Sequence, residues 1–317
     1  MSIWRSQAAL LGKTRWRLEF LRTSGLSPEL HSFDEWLFKN ASALPDDGVA
    51  DSGFSERAAY GFLMQTDAPG QTFTGIAGVI GPSCDQAGRS FPLALATPVT
   101  MGPQVARHPE IAPIVLESYW QAASEMLFTL RAVPPEAGDR SLERLTEAPT
   151  ESATGAFDAY VDWARHMRVG EMAALLERPV SWLDRAVRWI ADAVATPARN
   201  GRAASAHAIR VPLGRAGGGA LCFWLHVIRR ASFSPARAPS FFWSHDGRGG
   251  DALLFLRAPD EKTLATLWRV GGDDQVWDLT SREWHPQHGP SAEAPEDAQR
   301  TLWTLLQQPA VASRGVS

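Results

Sequence analysis

Two apolar runs around one turn-forming segment limit most strongly how this chain can fold. The segment is Gly81 to Leu93, "GPSCDQAGRSFPL", with "GIAGVI" before it and "LALATPV" after it. "QTFTGIAGVI" reads as a strand entering the segment and "RSFPLALATPV" as the strand leaving it. Gly75 and Gly78 weaken an isolated strand, so their presence predicts a second backbone packed closely against them. Inside the segment, Gly88 suits a turn that needs positive φ. Asp85 can accept backbone N–H bonds there, and Arg89, four residues on, can pair with it. Phe91 and Leu93 can anchor one sheet face, and Pro92 restricts the strand to an edge or a start.

The rest of the chain supplies enough apolar material to cover such a sheet. It has 317 residues, 44% of them apolar, which suffices for one large domain or two ordinary ones. The net charge is −4, and the 28 Arg and 3 Lys are scattered among acids rather than striped. Neither nucleic acid nor an anionic membrane surface is an expected partner. Two cysteines make no disulfide framework, and neither a signal peptide nor a run of 18 or so apolar residues is legible. A cytoplasmic protein without membrane insertion is expected.

Helices are expected at 32–40 with Ser32 as N-cap and Glu35 completing a capping box, at 111–131, 157–167, 181–194, 259–269 and 297–306. Residues 56–65 read as a short helix or strand, and 133–155 as an exposed connection. "AHAIRVPLG", "GALCFWLHVI", "PSFFWS" and "DALLFLRA" read as strands. Elements of both kinds in both halves point to a mixed α/β fold.

Several motifs suggest chemistry and lack its essentials. "LGKT" has Gln7 where a P-loop needs its first Gly, and too little chain precedes it for a core strand. "GPSCD" has Asp85 where a nucleophile elbow needs Gly. Cys84 has no His near it in sequence, and reads as a small buried hydrophobe. Cys222 and His226, read as strand residues, would stand about 13 Å apart, too far for one zinc. His285 and His288 sit in a polar loop. "SHDGRGGDA", Ser244 to Ala252, looks like the metal-binding motif of PPM-type phosphatases but lacks the upstream carboxylates, so a hairpin loop is the expectation.

"PSCDQAGRSFPL" is similar to a signature of the TagF family, accessory proteins of bacterial type VI secretion. Pro82, Ser83, Asp85, Gly88, Arg89, Phe91, Pro92 and Leu93 carry the match. "GKTRWRLEFLRTSG" at 12–25 resembles that family's opening in degenerate form, with Arg15 where Pro is usual. "FDEWL" at 33–37 and "PSFFWSHDG" at 239–247 resemble two further family stretches.

The resemblance implies a three-layer α/β/α sandwich with a mixed sheet. It would span 1–284, as a motif-bearing half (1–132), a helical and loop connection (133–205) and C-terminal strands with a helix (206–284). A tail with a short helix would follow at 285–317. It also implies a non-enzymatic cytoplasmic repressor of secretion, with no cofactor or metal, bound to a secretion component such as a forkhead-associated-domain scaffold protein. Trp243, Asp246 and Arg248 are the expected candidate interface; the sequence specifies no oligomeric state. The alternative is a small metal-dependent hydrolase using Asp246, Asp251 and His245.

Overall fold

The computed structural model describes residues 4–5, 7–44, 58–66, 72–132, 142, 145, 151–199, 206–232, 239–245, 249–269, 276–281, 284 and 298–307. Its centre is one sheet. The strands are β1 (Trp4–Arg5), β2 (Ala9–Gly12), β3 (Leu21–Arg22), β4 (Tyr60–Gln65), β5 (Phe73–Gly81), β6 (Leu93–Met101), β7 (Ala208–Pro212), β8 (Phe241–His245), β9 (Gly250–Phe255) and β10 (Val276–Asp278). They run in the order β10-β7-β9-β8-β4-β5-β6-β2-β3, with β1 also on β6. Among the described strands only β7 and β10 pair in parallel, so the sheet is mixed. The β4–β8 pairing joins strands from the two ends of the chain into this one sheet.

The helices are α1 (Pro28–Ser42), α2 (Pro103–Arg107), α3 (Ala112–Val115), α4 (Glu117–Ala132), α5 (Ala153–His166), α6 (Val169–Leu175), α7 (Val180–Arg199), α8 (Gly218–Ala231), α9 (Thr263–Leu267) and α10 (Leu302–Gln307). They cover both faces. Leu30, Phe33 and Leu37 of α1 and Leu264 and Leu267 of α9 pack on Phe62, Ile76, Ile80 and Phe242. The other helices pack on Ala77, Val79, Leu95 and Phe241 from the opposite side. Alternate residues of one strand therefore enter different cores, and β5 and β6 are buried along nearly their whole length. The fold is the expected three-layer α/β sandwich.

Gly75 and Gly78 stand where close approach was expected. A Cβ on Gly78 would lie 2.1 Å from the Leu95 carbonyl oxygen, and one on Gly75 would lie 2.6 Å from that of Met64. The sheet centre is tied to α4 by Tyr119, whose hydroxyl is 3.0 Å from both the Ala77 carbonyl and Thr97 Oγ1.

Several expected elements differ. "GALCFWLHVI" lies in α8, a helix whose residues 220–228 are all buried, and an all-round apolar helix shows no 3.6-residue period. The helix expected from Ser32 begins at Pro28: Ser27 is the cap, accepting from the Leu30 N–H, and Ser32 Oγ donates to the Pro28 carbonyl instead. The span 111–131 is broken at Leu116 into α3 and α4. Within the stretch read as an exposed connection, Leu142 and Leu145 are buried in the core. "LGKT" does follow a core strand, since β2 is fully buried. α6 and β10 had no counterpart among the expected elements.

Candidate functional site

The segment between β5 and β6 folds back on itself. Cys84 and Ser90 form an antiparallel bridge, the Phe91 N–H donates to the Ser83 carbonyl at 2.9 Å, and the Gly88 N–H donates to the Asp85 carbonyl at 2.9 Å. Gly88 has φ +80° and open space around it, so backbone conformation rather than crowding selects glycine. Leu93 is fully buried in β6, and Phe91 is buried under α1.

Asp85 is the hub. Its Oδ1 accepts the Ala87 and Arg89 N–H groups, each at 2.9 Å. Its Oδ2 accepts Arg89 Nε at 2.6 Å and Lys13 Nζ at 2.9 Å. Four donors thus occupy the carboxylate's four lone-pair directions. Burial pushes the Asp85 carboxyl upward, but the bonds from Lys13 and Arg89 outweigh it and hold the group well below the usual carboxylate range. The two cations are unequal. Lys13 is 9% exposed at its side chain and Arg89 is 64% exposed, while Asp85 is fully buried. The expected Asp85–Arg89 pair is present, and Lys13 is its third, inward member. Lys13 lies in "GKT", which by itself suggests a phosphate loop or a degenerate family opening, and neither reading points to Asp85. One of three Lys in an Arg-rich chain, two residues before an Arg-Trp-Arg run, was the available signal.

This hub holds residues 13–20 over the turn. The Gln86 N–H donates to the Arg17 carbonyl at 3.1 Å, and Arg89 Nη2 reaches the Leu18 carbonyl at 3.4 Å. Gly12, at φ +122°, lets β2 pass the Pro92 carbonyl, which a Cβ would meet at 2.1 Å. The held segment turns its large side chains outward. Trp16, Leu18 and Phe20 are exposed, as is Phe38 on α1. Phe20 sits edge-on to Phe91 at 4.6 Å and 6.2 Å from Phe38, with Lys13 Nζ 4.8 Å from the Phe20 ring centre. Arg15 lies 5.6 Å from the Trp16 ring centre, Arg17 is exposed on the same segment, and the exposed Arg89 reaches the Leu18 carbonyl, while Asp34 on α1 is paired with Arg22. Four of the five exposed large hydrophobic side chains among the described residues gather here; the fifth is Phe128. Grouped apolar exposure of this kind marks an interaction surface.

The other sequence candidates fare differently. Phe241 and Trp243 face one core and Phe242 the other, so "FFW" is largely interior. Trp243 packs edge-on against Trp120 at 5.6 Å. Asp246, Arg248 and the His245 side chain lie outside the described residues, as do His285 and His288. Asp251 is engaged by Arg210 Nη1 at 2.5 Å and Arg269 Nη2 at 3.5 Å, an arrangement already neutralised by guanidinium groups. Cys222 and His226 are one turn apart on α8, so the 13 Å strand separation does not apply. Burial pushes the Cys222 thiol up, and His226 is bonded to Tyr160. Among the described residues no group of three or more His, Cys, Asp or Glu could hold a metal ion, and no helix is long and apolar enough to cross a membrane.

Comparison with known proteins agrees with the motif. Residues 9–145 match the family model of the TagF N-terminal domain, type VI secretion system-associated, and this range contains both the Asp85 hub and the exposed ring cluster. A crystal structure of PA0076 from Pseudomonas aeruginosa PAO1 aligns at 19% identity and a TM-score of 0.33, over 46% of this chain and 64% of that one, under two thirds of its length. No curated protein matches. The molecule is thus an α/β protein associated with type VI secretion. Within it, residues 9–145 are similar to the TagF N-terminal domain.

Proposed function

We propose that this protein is a non-enzymatic, cytoplasmic, post-translational repressor of type VI secretion. It would act by binding an apparatus component such as a forkhead-associated-domain scaffold protein. The observation that carries the reading is the exposed cluster of Trp16, Leu18, Phe20 and Phe38 on the secretion-associated domain. With Arg15, Arg17 and Arg89 on the same segment and turn, it calls for a partner surface with apolar anchor sites and carboxylates. The Asp85 hub is a positioning device for that cluster, because Gln86 and Arg89 bond the segment that presents the rings. A hydrolase built on Asp251 is disfavoured by its engagement with Arg210 and Arg269.

The test is co-purification of the tagged chain with the scaffold protein from cells that carry the secretion cluster. Wild type retains it; Phe20→Ser/Phe38→Ser, with unchanged melting temperature, releases it. Equal retention by both would remove the cluster from the interface. Failure of wild type to capture any secretion component would reject the partner assignment.

A further inference from the structure

A cavity of about 500 Å³ opens in the helical layer on the sheet face opposite α1, between α5, α8, α10 and the turn Pro109–Ile111. That volume lies within the range of small-molecule sites. Its polar groups are organised. Glu110 is buried, with Oε2 2.8 Å from Arg229 Nε and Oε1 3.4 Å from His108 Nδ1. The buried Tyr160 hydroxyl lies 2.9 Å from Nδ1 of the buried His226. Apolar walls come from Phe157, whose ring centre is 4.4 Å from that of His108, and Trp303, 6.2 Å from His226. Arg165 lies over Trp303 at 5.4 Å. Arg230 stands at the rim, with Nη1 3.4 Å from Gln307 Oε1.

The charge balance decides the ligand class. Among the described residues Glu110 is the only carboxylate lining the cavity, and it is taken by Arg229. Arg230 adds a second guanidinium beside the first, and among the described residues its hydrogen-bond partner is a neutral amide, that of Gln307. Burial, with the charge of Arg229 next, disfavours the charged form of Arg230, so an anion would relieve it. His226 is held neutral by burial, with its pKa pushed down to about 4 despite Glu110. In the tautomer whose Nδ1 accepts from Tyr160, the ring proton is on Nε2, a neutral donor.

We propose that this cavity binds a small organic anion with a flat ring, its carboxylate or phosphate held by Arg229 and Arg230 and its ring against Phe157 and Trp303. Such a site gives the protein a small-molecule input separate from the ring cluster on the other side of the sheet. Nothing in the repressor reading is needed for it.

The experiment is calorimetric titration of the full chain with salicylate and with adenosine 5′-monophosphate, and with sulfate at matched ionic strength. The expected result is one-to-one binding of at least one ring anion with Kd below about 1 mM. The two ring anions separate a carboxylate from a phosphate source. Arg230→Ala and Trp303→Ala should each weaken binding about tenfold, while Arg230→Lys retains most of it; the Arg230 variants should melt as wild type does, and Trp303→Ala, which also loses core packing, is compared at a temperature where it is folded. No saturable heat from either ring anion overturns the proposal. So does sulfate binding as tightly as both, or equal affinity in the folded Arg230→Ala and Trp303→Ala variants.

Discussion

Asp85→Ala removes the one carboxylate that serves two cations and two backbone N–H groups at the turn. The cost follows from exposure. Lys13, at 9% side-chain exposure, would keep a nearly buried ammonium without a partner, a situation worth ~3–5 kcal/mol. Lys13→Met leaves Asp85 with three of its four donors, so its cost should be smaller, ~2 kcal/mol. Arg89→Ala removes a guanidinium that is 64% exposed, and solvent screening holds its contribution under ~1 kcal/mol. The Lys13→Met/Asp85→Ala double variant orphans no charge, so it should lose less than the sum of the singles by ~1 kcal/mol or more. Urea denaturation followed by circular dichroism gives the order directly, provided the slope is unchanged. Because the Asp85 carboxyl is held below its unfolded value, its contribution is full above about pH 4 and fades as the pH falls through the lower folded value. The gap between wild type and Asp85→Ala should therefore narrow in acid. An Arg89→Ala cost equal to that of Asp85→Ala, or strict additivity of Lys13 and Asp85, would refute the hub.

Two other perturbations reach different parts of the fold. Gly12→Ala combines φ +122° with a Cβ 2.1 Å from the Pro92 carbonyl, so it should destabilise by ~3 kcal/mol or more and lower the yield of folded protein. Wild-type solubility and midpoint would show that β2 shifts freely. His226 is held neutral with its pKa near 4, so the native state binds fewer protons than the unfolded chain between about pH 6.5 and 4. Stability is full above that window and falls on acidification by about 3 kcal/mol across it. His226→Gln should flatten this slope in thermal melts run from pH 7 to pH 4; an unchanged slope would assign it to other groups.

The sheet centre was legible because β5 and β6 are apolar on both faces and their glycines meet neighbouring backbone. Helix α8 was not, because residues 220–228 are all buried and its sequence reads like a core strand. The turn was legible through Gly88, Asp85 and Arg89, whose chemistry is local. Lys13 was hidden because it reaches Asp85 across 72 positions of sequence. The ring cluster is the least readable part. Trp16, Leu18 and Phe20 alternate with polar residues as a half-buried strand would, yet all three are exposed because the Asp85 turn holds their backbone outside the sheet. Exposure of that kind is set by tertiary contacts that no single segment encodes.

The most direct test of repression through the ring cluster is effector release from cells overproducing either wild type or Phe20→Ser/Phe38→Ser at equal levels. Wild type should silence release without lowering the abundance of the secretion components, and the variant, folded and equally abundant, should leave release near the uninduced level. Silencing by the variant as complete as by wild type would contradict the account.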